Sequence, residues 1–203
     1  MVKSLNLCEK LIWVLRQNVR PGVRMAVNSS SDSGLIEQAK PAMKISIIVA
    51  TDQENGIGKD GGLPWRNKAD LGHFSLTTKG NGNNAVVMGR TTWQSLPNPP
   101  LADRTNLVLS TTMQEGEGCR VVRSVEEAIA VAEGLSVEEL WVIGGRKTYE
   151  AFEATERVDK YVVTKIDGVH DCDVWYRPDM QDFWMQSWHK IEGGDVIEWV
   201  RAE

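Results

Sequence analysis

Four short and mostly apolar runs constrain this chain more than any other feature. They are Ile45-Ser46-Ile47-Ile48-Val49-Ala50, Ala85-Val86-Val87-Met88, Asn106-Leu107-Val108-Leu109 and Leu140-Trp141-Val142-Ile143. None alternates cleanly between apolar and polar residues, so each reads as a strand covered on both faces. Helical segments lie between them: one carrying Asp70, one at Thr92–Leu96, and one from Ser124 to about residue 133. A fourth runs from Lys147 to Glu153. Ser124-Val125-Glu126-Glu127 is a capping box that opens the third. Buried strands joined by helices make a mainly parallel sheet with helices on both faces. Val121-Val122 and Lys160–Ile166 add strands, and residues 183–190 and 195–201 flank Gly193-Gly194, a hairpin signal. The expected fold is therefore α/β, with a mainly parallel central sheet and an antiparallel C-terminal hairpin. Residues 52–63 and 80–84 read as loops.

The 203 residues, 41% of them hydrophobic, suffice for one domain with an appendage. The net charge of −5 is uneven. Residues 1–42 carry Lys3, Lys10, Arg16, Arg20, Arg24 and Lys40 against Glu9, Asp32 and Glu37, a net +3, which leaves −8 for 43–203. An acidic domain argues against a nucleic-acid surface, though not against a local anion site. Cys8, Cys119 and Cys172 form no Cys-x-x-Cys pair, and their odd number points to a reducing compartment without a disulfide framework or zinc. His73, His170 and His189 are scattered and read as surface residues. No apolar run reaches membrane-spanning length. Residues 1–42 read as a basic, disordered extension, with the apolar patch Leu11–Leu15 and the Ser-rich linker 28–34. A mitochondrial transit peptide, a start codon placed upstream of a true start at Met43, and an expression scar all fit it. Localisation is accordingly cytoplasmic, or mitochondrial if 1–42 is a transit peptide.

Gly61-Gly62-Leu63-Pro64-Trp65 is followed five residues on by Asp70, with Leu71 and Phe74 at helical spacing. All three can share one helix face. A carboxylate there is costly unless a ligand with a fork of N–H donors, such as an aminopyrimidine ring, satisfies it. Taken alone, Asp70 reads more readily as a cap or an exposed helix acid than as a ligand group, and Leu71, Phe74, Leu96 and Ile143 as core. Met88-Gly89-Arg90-Thr91-Thr92 and Ile143-Gly144-Gly145-Arg146 each end a strand in glycine and turn into a helix. Free N–H groups at two such turns suit a dinucleotide diphosphate. Arg90, Ser110, Thr111 and Arg123 lie at or just past strand ends. Two guanidinium forks and two hydroxyls can grip a further phosphate that a plain ribose lacks.

In this order and spacing, Ile57-Gly58, Leu63-Pro64-Trp65…Asp70, Met88–Trp93, Leu109-Ser110-Thr111 and Val142–Gly145 leading to Tyr149 resemble dihydrofolate reductase of the chromosomal bacterial type. The resemblance runs from Met43 to the C-terminus and makes 43–203 the reductase-like domain. It implies NADPH as cofactor, with Arg90, Ser110, Thr111 and Arg123 at the 2′-phosphate and Lys147 near the adenosine. Gly89, Thr92, Gly144 and Gly145 fall at the diphosphate turns. Ala50 and Ile57 match positions whose backbone meets the nicotinamide carboxamide, and Tyr149 lies beside that ring. Asp70 matches the acid that pairs with the pterin N3 and 2-amino group, supported by the Thr164 hydroxyl. Leu71 and Phe74 match one apolar wall, Leu96 and Ile143 the other. Leu63 and Trp65 match the loop that closes over both rings, and Arg104 the clamp for the α-carboxylate of the glutamate tail. Three features depart from the family pattern: Arg146 after the glycine pair, a longer 80–84 loop, and Trp175.

The implied reaction is NADPH-dependent reduction of 7,8-dihydrofolate to tetrahydrofolate for one-carbon metabolism, by a monomer that antifolates would inhibit. Asp70, Trp65 and Leu63 carry the catalytic positions, and water delivers the proton to N5. Two alternatives are a riboflavin-pathway pyrimidine reductase and a non-catalytic folate- or NADP-binding protein. Pro64-Trp65…Asp70 and Arg104 argue against the first.

Overall fold

The computed structural model describes residues 42–202. The expectations for the basic extension therefore fall, but for Ala42, outside the described residues. Ten strands and four helices are found among the described residues. The strands are β1 (Lys44–Thr51), β2 (Gly56–Gly58), β3 (Asn84–Gly89), β4 (Arg104–Leu109), β5 (Arg120–Val122), β6 (Glu139–Gly144), β7 (Lys160–Ile166), β8 (Val174–Trp175), β9 (Phe183–Ile191) and β10 (Gly194–Arg201). The helices are α1 (Lys68–Lys79), α2 (Arg90–Ser95), α3 (Val125–Gly134) and α4 (Arg146–Glu153).

Eight strands form one sheet in the order β5-β4-β3-β6-β1-β7-β10-β9. The first six pair in parallel, and β10 runs antiparallel to both β7 and β9. The apolar runs thus become the buried centre, and the Gly193-Gly194 hairpin supplies the antiparallel edge. On one face Ile45, Ile47 and Val49 of β1 pack with Ala128 and Ile129 of α3 and Phe152 of α4. On the other, Ile48, Val86, Met88 and Trp141 pack against Phe74 of α1 and Trp93 of α2. Burying each such large apolar side chain contributes about 1.5–3 kcal/mol.

The chain leaves β1, passes over one position to lay down β3, and moves outward through β4 and β5. It then returns to place β6 in the gap, before β7 takes the far side of β1. The C-terminal ends of β3, β6 and β1 consequently stand side by side where the direction of winding reverses, the usual position for a ligand crevice in such sheets.

The glycine-rich 52–63 segment is not all loop. Gly56 and Gly58 pair with Trp175 and Val174 in a two-stranded ribbon. Strands of three and two residues leave no periodicity to read, so the sequence does not show them. The capping box is also altered. Ser124 Oγ accepts the Glu127 N–H at 3.1 Å, as expected, but Glu127 Oε2 reaches back to the N–H of Arg123, at 2.6 Å. Helix α2 begins two residues earlier than its side chains suggest, directly on Gly89. No helix among the described residues is long and apolar enough to cross a membrane.

Ser124→Ala removes the side-chain cap of α3 and should lower stability by about 1 kcal/mol. Urea unfolding followed by circular dichroism measures it, with the slope of the transition unchanged. A Ser124→Asp variant, which keeps an acceptor, should recover most of the loss.

Candidate active site

Asn67 precedes α1 in extended conformation and caps it, its Oδ1 accepting the Asp70 N–H at 3.0 Å. Its amide also donates to the carbonyls of Glu192 at 2.9 Å and Gly193 at 3.2 Å. This ties the first turn of α1 to the β9–β10 turn and turns the Asp70 side chain inward, where it is only 6% exposed. The Thr164 hydroxyl on β7 hydrogen-bonds the Asp70 carboxyl. Burial holds that carboxyl above its ordinary value, against the opposing effects of the Thr164 bond and the nearby His73.

The apolar walls expected around Asp70 divide. Phe74, Leu96 and Ile143 pack together against the Trp141 side of the sheet. Leu71 and Leu63 instead are about half exposed, at 52% and 51%. The helical spacing of Asp70, Leu71 and Phe74 is real, but Leu71 lies at the rim rather than in the packed wall. Arg104 stands over the Phe74 ring, its Cζ 5.9 Å from the centroid, and donates from Nη1 to Thr78 Oγ1 at 2.6 Å and from Nε to the Ala102 carbonyl at 3.0 Å. Its guanidinium is thus aimed from β4 across the outer end of the Phe74 wall.

The two glycine turns are neighbours because β3 pairs with β6, Met88 lying opposite Gly144. Gly89 and Gly145 are the N-caps of α2 and α4, and neither helix has a side-chain cap, unlike α1 and α3. A Cβ on Gly89 would lie 3.0 Å from Thr148 Oγ1 and 3.8 Å from the Gly145 nitrogen. Gly144 has φ +131, and a Cβ there would come within 3.4 Å of both Thr92 Oγ1 and the Tyr149 hydroxyl. Glycine is therefore required to keep this double turn open. Two adjoining helix N-termini with uncapped N–H groups fit a diphosphate. Arg146 does not fill the turn: it is exposed and its Nε lies 3.4 Å from Glu150 Oε1.

Farther along the same edge, Arg123 Nη1 donates to the carbonyls of Ser110 at 2.6 Å and Met113 at 2.7 Å. Ser110 Oγ accepts the Met113 N–H at 3.1 Å. Arg123 and Ser110 thus meet, though one Arg123 nitrogen is engaged in holding the 110–113 turn. Arg90, Thr111 and Lys147 are exposed. Read across the strand ends, the order is Ser110 just past β4, Gly89 on β3, Gly144 on β6, Ala50 on β1 and Thr164 on β7, with Ala50 directly opposite Thr164. At about 4.8 Å per strand, this row spans roughly 19 Å.

The 52–65 segment closes one side of the row. Trp65 is buried against Ala50, Ile166 and Cys172, with the His170 ring 5.2 Å away. Asp52, which the sequence reading passed over, accepts the N–H groups of Glu54, Gly56 and His170 at 2.7–2.9 Å. These bonds hold its carboxyl below its ordinary value although burial works the other way. Asp173 accepts the Asp60 N–H at 2.9 Å. Together they fasten the loop to the 167–175 segment. Of the histidines, His189 is exposed as the surface reading expects, whereas His73 and His170 are half-buried, His73 beside the His189 ring at 5.5 Å. Asn67 had a usable signal, an Asn three residues before an acid at a helix start. For Asp52 only the local turn to Glu54 and Gly56 could leave a mark; its bond from His170, 118 residues away, leaves none.

Comparison with known proteins gives a matching result. The family model described as dihydrofolate reductase matches residues 44–196. The chain is 40% identical over 144 residues to the dihydrofolate reductase of Drosophila melanogaster, covering 66% of this chain and 79% of that protein. It is 34% identical over 169 residues to the enzyme of that name from Heliothis virescens, covering 77% and 91%. It is 38% identical over 146 residues to that from Mycobacterium leprae (strain TN), covering 70% and 84%. This chain belongs to the dihydrofolate reductase family.

Proposed function

We propose that the chain reduces 7,8-dihydrofolate to tetrahydrofolate with NADPH, and that Asp70 is the group that holds the pterin ring. The observation that carries this reading is the ordered row along the strand ends. Phosphate-gripping groups lie at β4 and β3, the open glycine turns at β3 and β6, and a buried acid stands over β7. Reduced nicotinamide, when bound, supplies the hydride that pterin C6 gains.

The chain's own groups do the rest. The N–H groups after Gly89 and Gly145, with Thr92, hold the diphosphate, and Arg90, Ser110, Thr111 and Arg123 hold the 2′-phosphate. Lys147 lies near the adenosine. Backbone at Ala50 and Ile57 orients the carboxamide, with Tyr149 beside the ring. Asp70, steadied by Thr164, accepts the fork of N–H donors on the pterin, and its charge favours the protonated ring. Phe74, Leu96, Ile143 and Leu71 flank the ring, and Arg104 binds the tail carboxylate. Leu63 and Trp65 shut out bulk water while admitting the one that protonates N5. The enzyme acts as a monomer, in the cytoplasm unless residues 1–42 direct it to mitochondria, and antifolates compete for the Asp70 site. Absorbance loss on mixing NADPH, dihydrofolate and enzyme tests the reading directly; no loss with either NADPH or NADH would defeat it.

Three results follow from these assignments. Asp70→Asn should lower turnover about 100-fold or more near pH 7. It should also raise the melting temperature there. The folded-state value of Asp70 is raised, so its ionisation opposes folding once pH rises through that value. The gain should therefore shrink as pH falls below the ordinary carboxylate range, where Asp70 is protonated folded or unfolded. A gain independent of pH would mean that burial of charge is not its source.

Arg90→Ala should weaken NADPH by about 1.5–3 kcal/mol, the range for a charge-assisted hydrogen bond, and NADH far less. Equal losses in a direct titration would remove Arg90 from the 2′-phosphate site. Finally, a chain begun at Met43 should melt and turn over as the full chain does, since the family match starts at residue 44. A lower melting temperature for the shorter chain would give residues 1–42 a part in stability.

A further inference from the structure

Tyr149 stands between the two halves of the site. Its hydroxyl lies against the Gly144 turn, and the Asp70 charge adds to burial in raising its phenol above the ordinary value. The hydroxyl donates to the Ile48 carbonyl at 3.0 Å. That bond fixes the tip of the ring but not its plane, since a phenol can swing about such a contact. The plane is set from behind by Tyr176, whose ring stacks on Tyr149 with centroids 4.7 Å apart and planes 22° from parallel.

Tyr176 is itself held at both ends. Its backbone N–H donates to the Asn55 carbonyl at 3.0 Å, in the loop before β2. Its hydroxyl donates to Glu153 Oε1 at 2.7 Å. Glu153 follows Tyr149 by four residues on α4, so the two share a face. Tyr176 thus lies along that face, ring on Tyr149 and hydroxyl on Glu153. The same Oε1 accepts the Tyr161 hydroxyl at 2.8 Å and the Asp179 N–H at 3.2 Å. Tyr161 is in turn backed edge-on by Phe183, at 4.7 Å. A carboxylate on the last residue of a helix is electrostatically misplaced. Ending α4 does not call for it. What it does is gather three donors from two segments, β7 and the β8–β9 connection, and fix the ring that backs Tyr149.

We propose that Tyr176 and Glu153 are positioning residues for the nicotinamide end of the site, acting through the stacked ring of Tyr149. The proposal rests on the reductase reading given above. Neither side chain touches the reacting atoms. Their effect is preorganisation: a ring already fixed loses no freedom when the cofactor binds.

Four variants test it: Tyr176→Phe, which keeps the stack; Tyr176→Leu, which loses it; Glu153→Gln, which keeps an acceptor; and Glu153→Leu, which does not. NADPH dissociation is read by quenching of tryptophan fluorescence in the purified enzyme, alongside KM for both substrates, kcat and melting temperature. Tyr176→Leu and Glu153→Leu should weaken NADPH about three- to tenfold, with the KM for dihydrofolate moving less than about twofold. Glu153→Gln should restore most of the NADPH affinity, and Tyr176→Phe should fall between. Unchanged NADPH affinity in all four, with lower melting temperatures, would reduce the pair to a purely structural role and overturn the proposal. So would equal weakening of both ligands. Should Glu153→Leu fail to fold, the Tyr176→Phe and Tyr176→Leu comparison decides. A wild-type enzyme that binds NADPH but does not reduce dihydrofolate would sink the reductase reading alone, because the binding comparison still stands. One that does not bind NADPH would sink both.

Discussion

Parallel pairing of β6 between β1 and β3 is the constraint on which the site depends. It sets Gly144 against Met88 and so brings two glycine-capped helix starts side by side. Either turn alone would be a tight connection. As neighbours they form a patch of free N–H groups with no side chain in the way. The same insertion orders everything else along the strand ends, Arg90 and Ser110 to one side and the buried Asp70 to the other. Hydrogen-bond register in the sheet therefore decides which chemical groups can serve one extended ligand.

The acid imposes the opposite demand. Asp70 is buried where its charge is unfavourable, with Thr164 the side-chain hydroxyl that offsets part of the cost. Stability alone would favour a neutral group at that position. The surrounding structure tolerates it because α1 is capped, hydrogen-bonded to the far hairpin and packed through Phe74 onto the sheet. Asp52 illustrates the contrast. It too is covered from solvent but set less deep in the protein, and three N–H groups make its ionised form the favoured one. Depth and hydrogen-bond partners together thus set two covered carboxylates apart: one is a fastener, the other is left wanting donors.

Much of the fold was legible in the sequence, because continuous apolar runs such as Ala85–Met88 admit few placements other than a covered parallel strand. The glycine turns and the Asp70 helix were legible as motifs for the same reason, since strand, glycine and cap each leave a local mark. The β2–β8 ribbon was not, being too short to carry a period. Nor was the rim position of Leu71, because helical spacing gives a face but not how deeply that face is covered. The bond from His170 to Asp52, and the stack of Tyr176 on Tyr149, join residues distant in the chain. No local pattern announces such contacts; they follow only once the sheet order is known.

The bonds from Asn67 to Glu192 and Gly193 cross 125 and 126 residues of sequence. Synthesis proceeds from the N-terminus, so the glycine turns and the strands that carry them leave the ribosome well before the segment that finishes the housing of Asp70. A nascent chain ending near residue 180 already holds both glycine turns, but its acid-bearing helix lacks the hairpin that tethers its first turn. The surroundings of Asp70 are thus completed only at the end of translation.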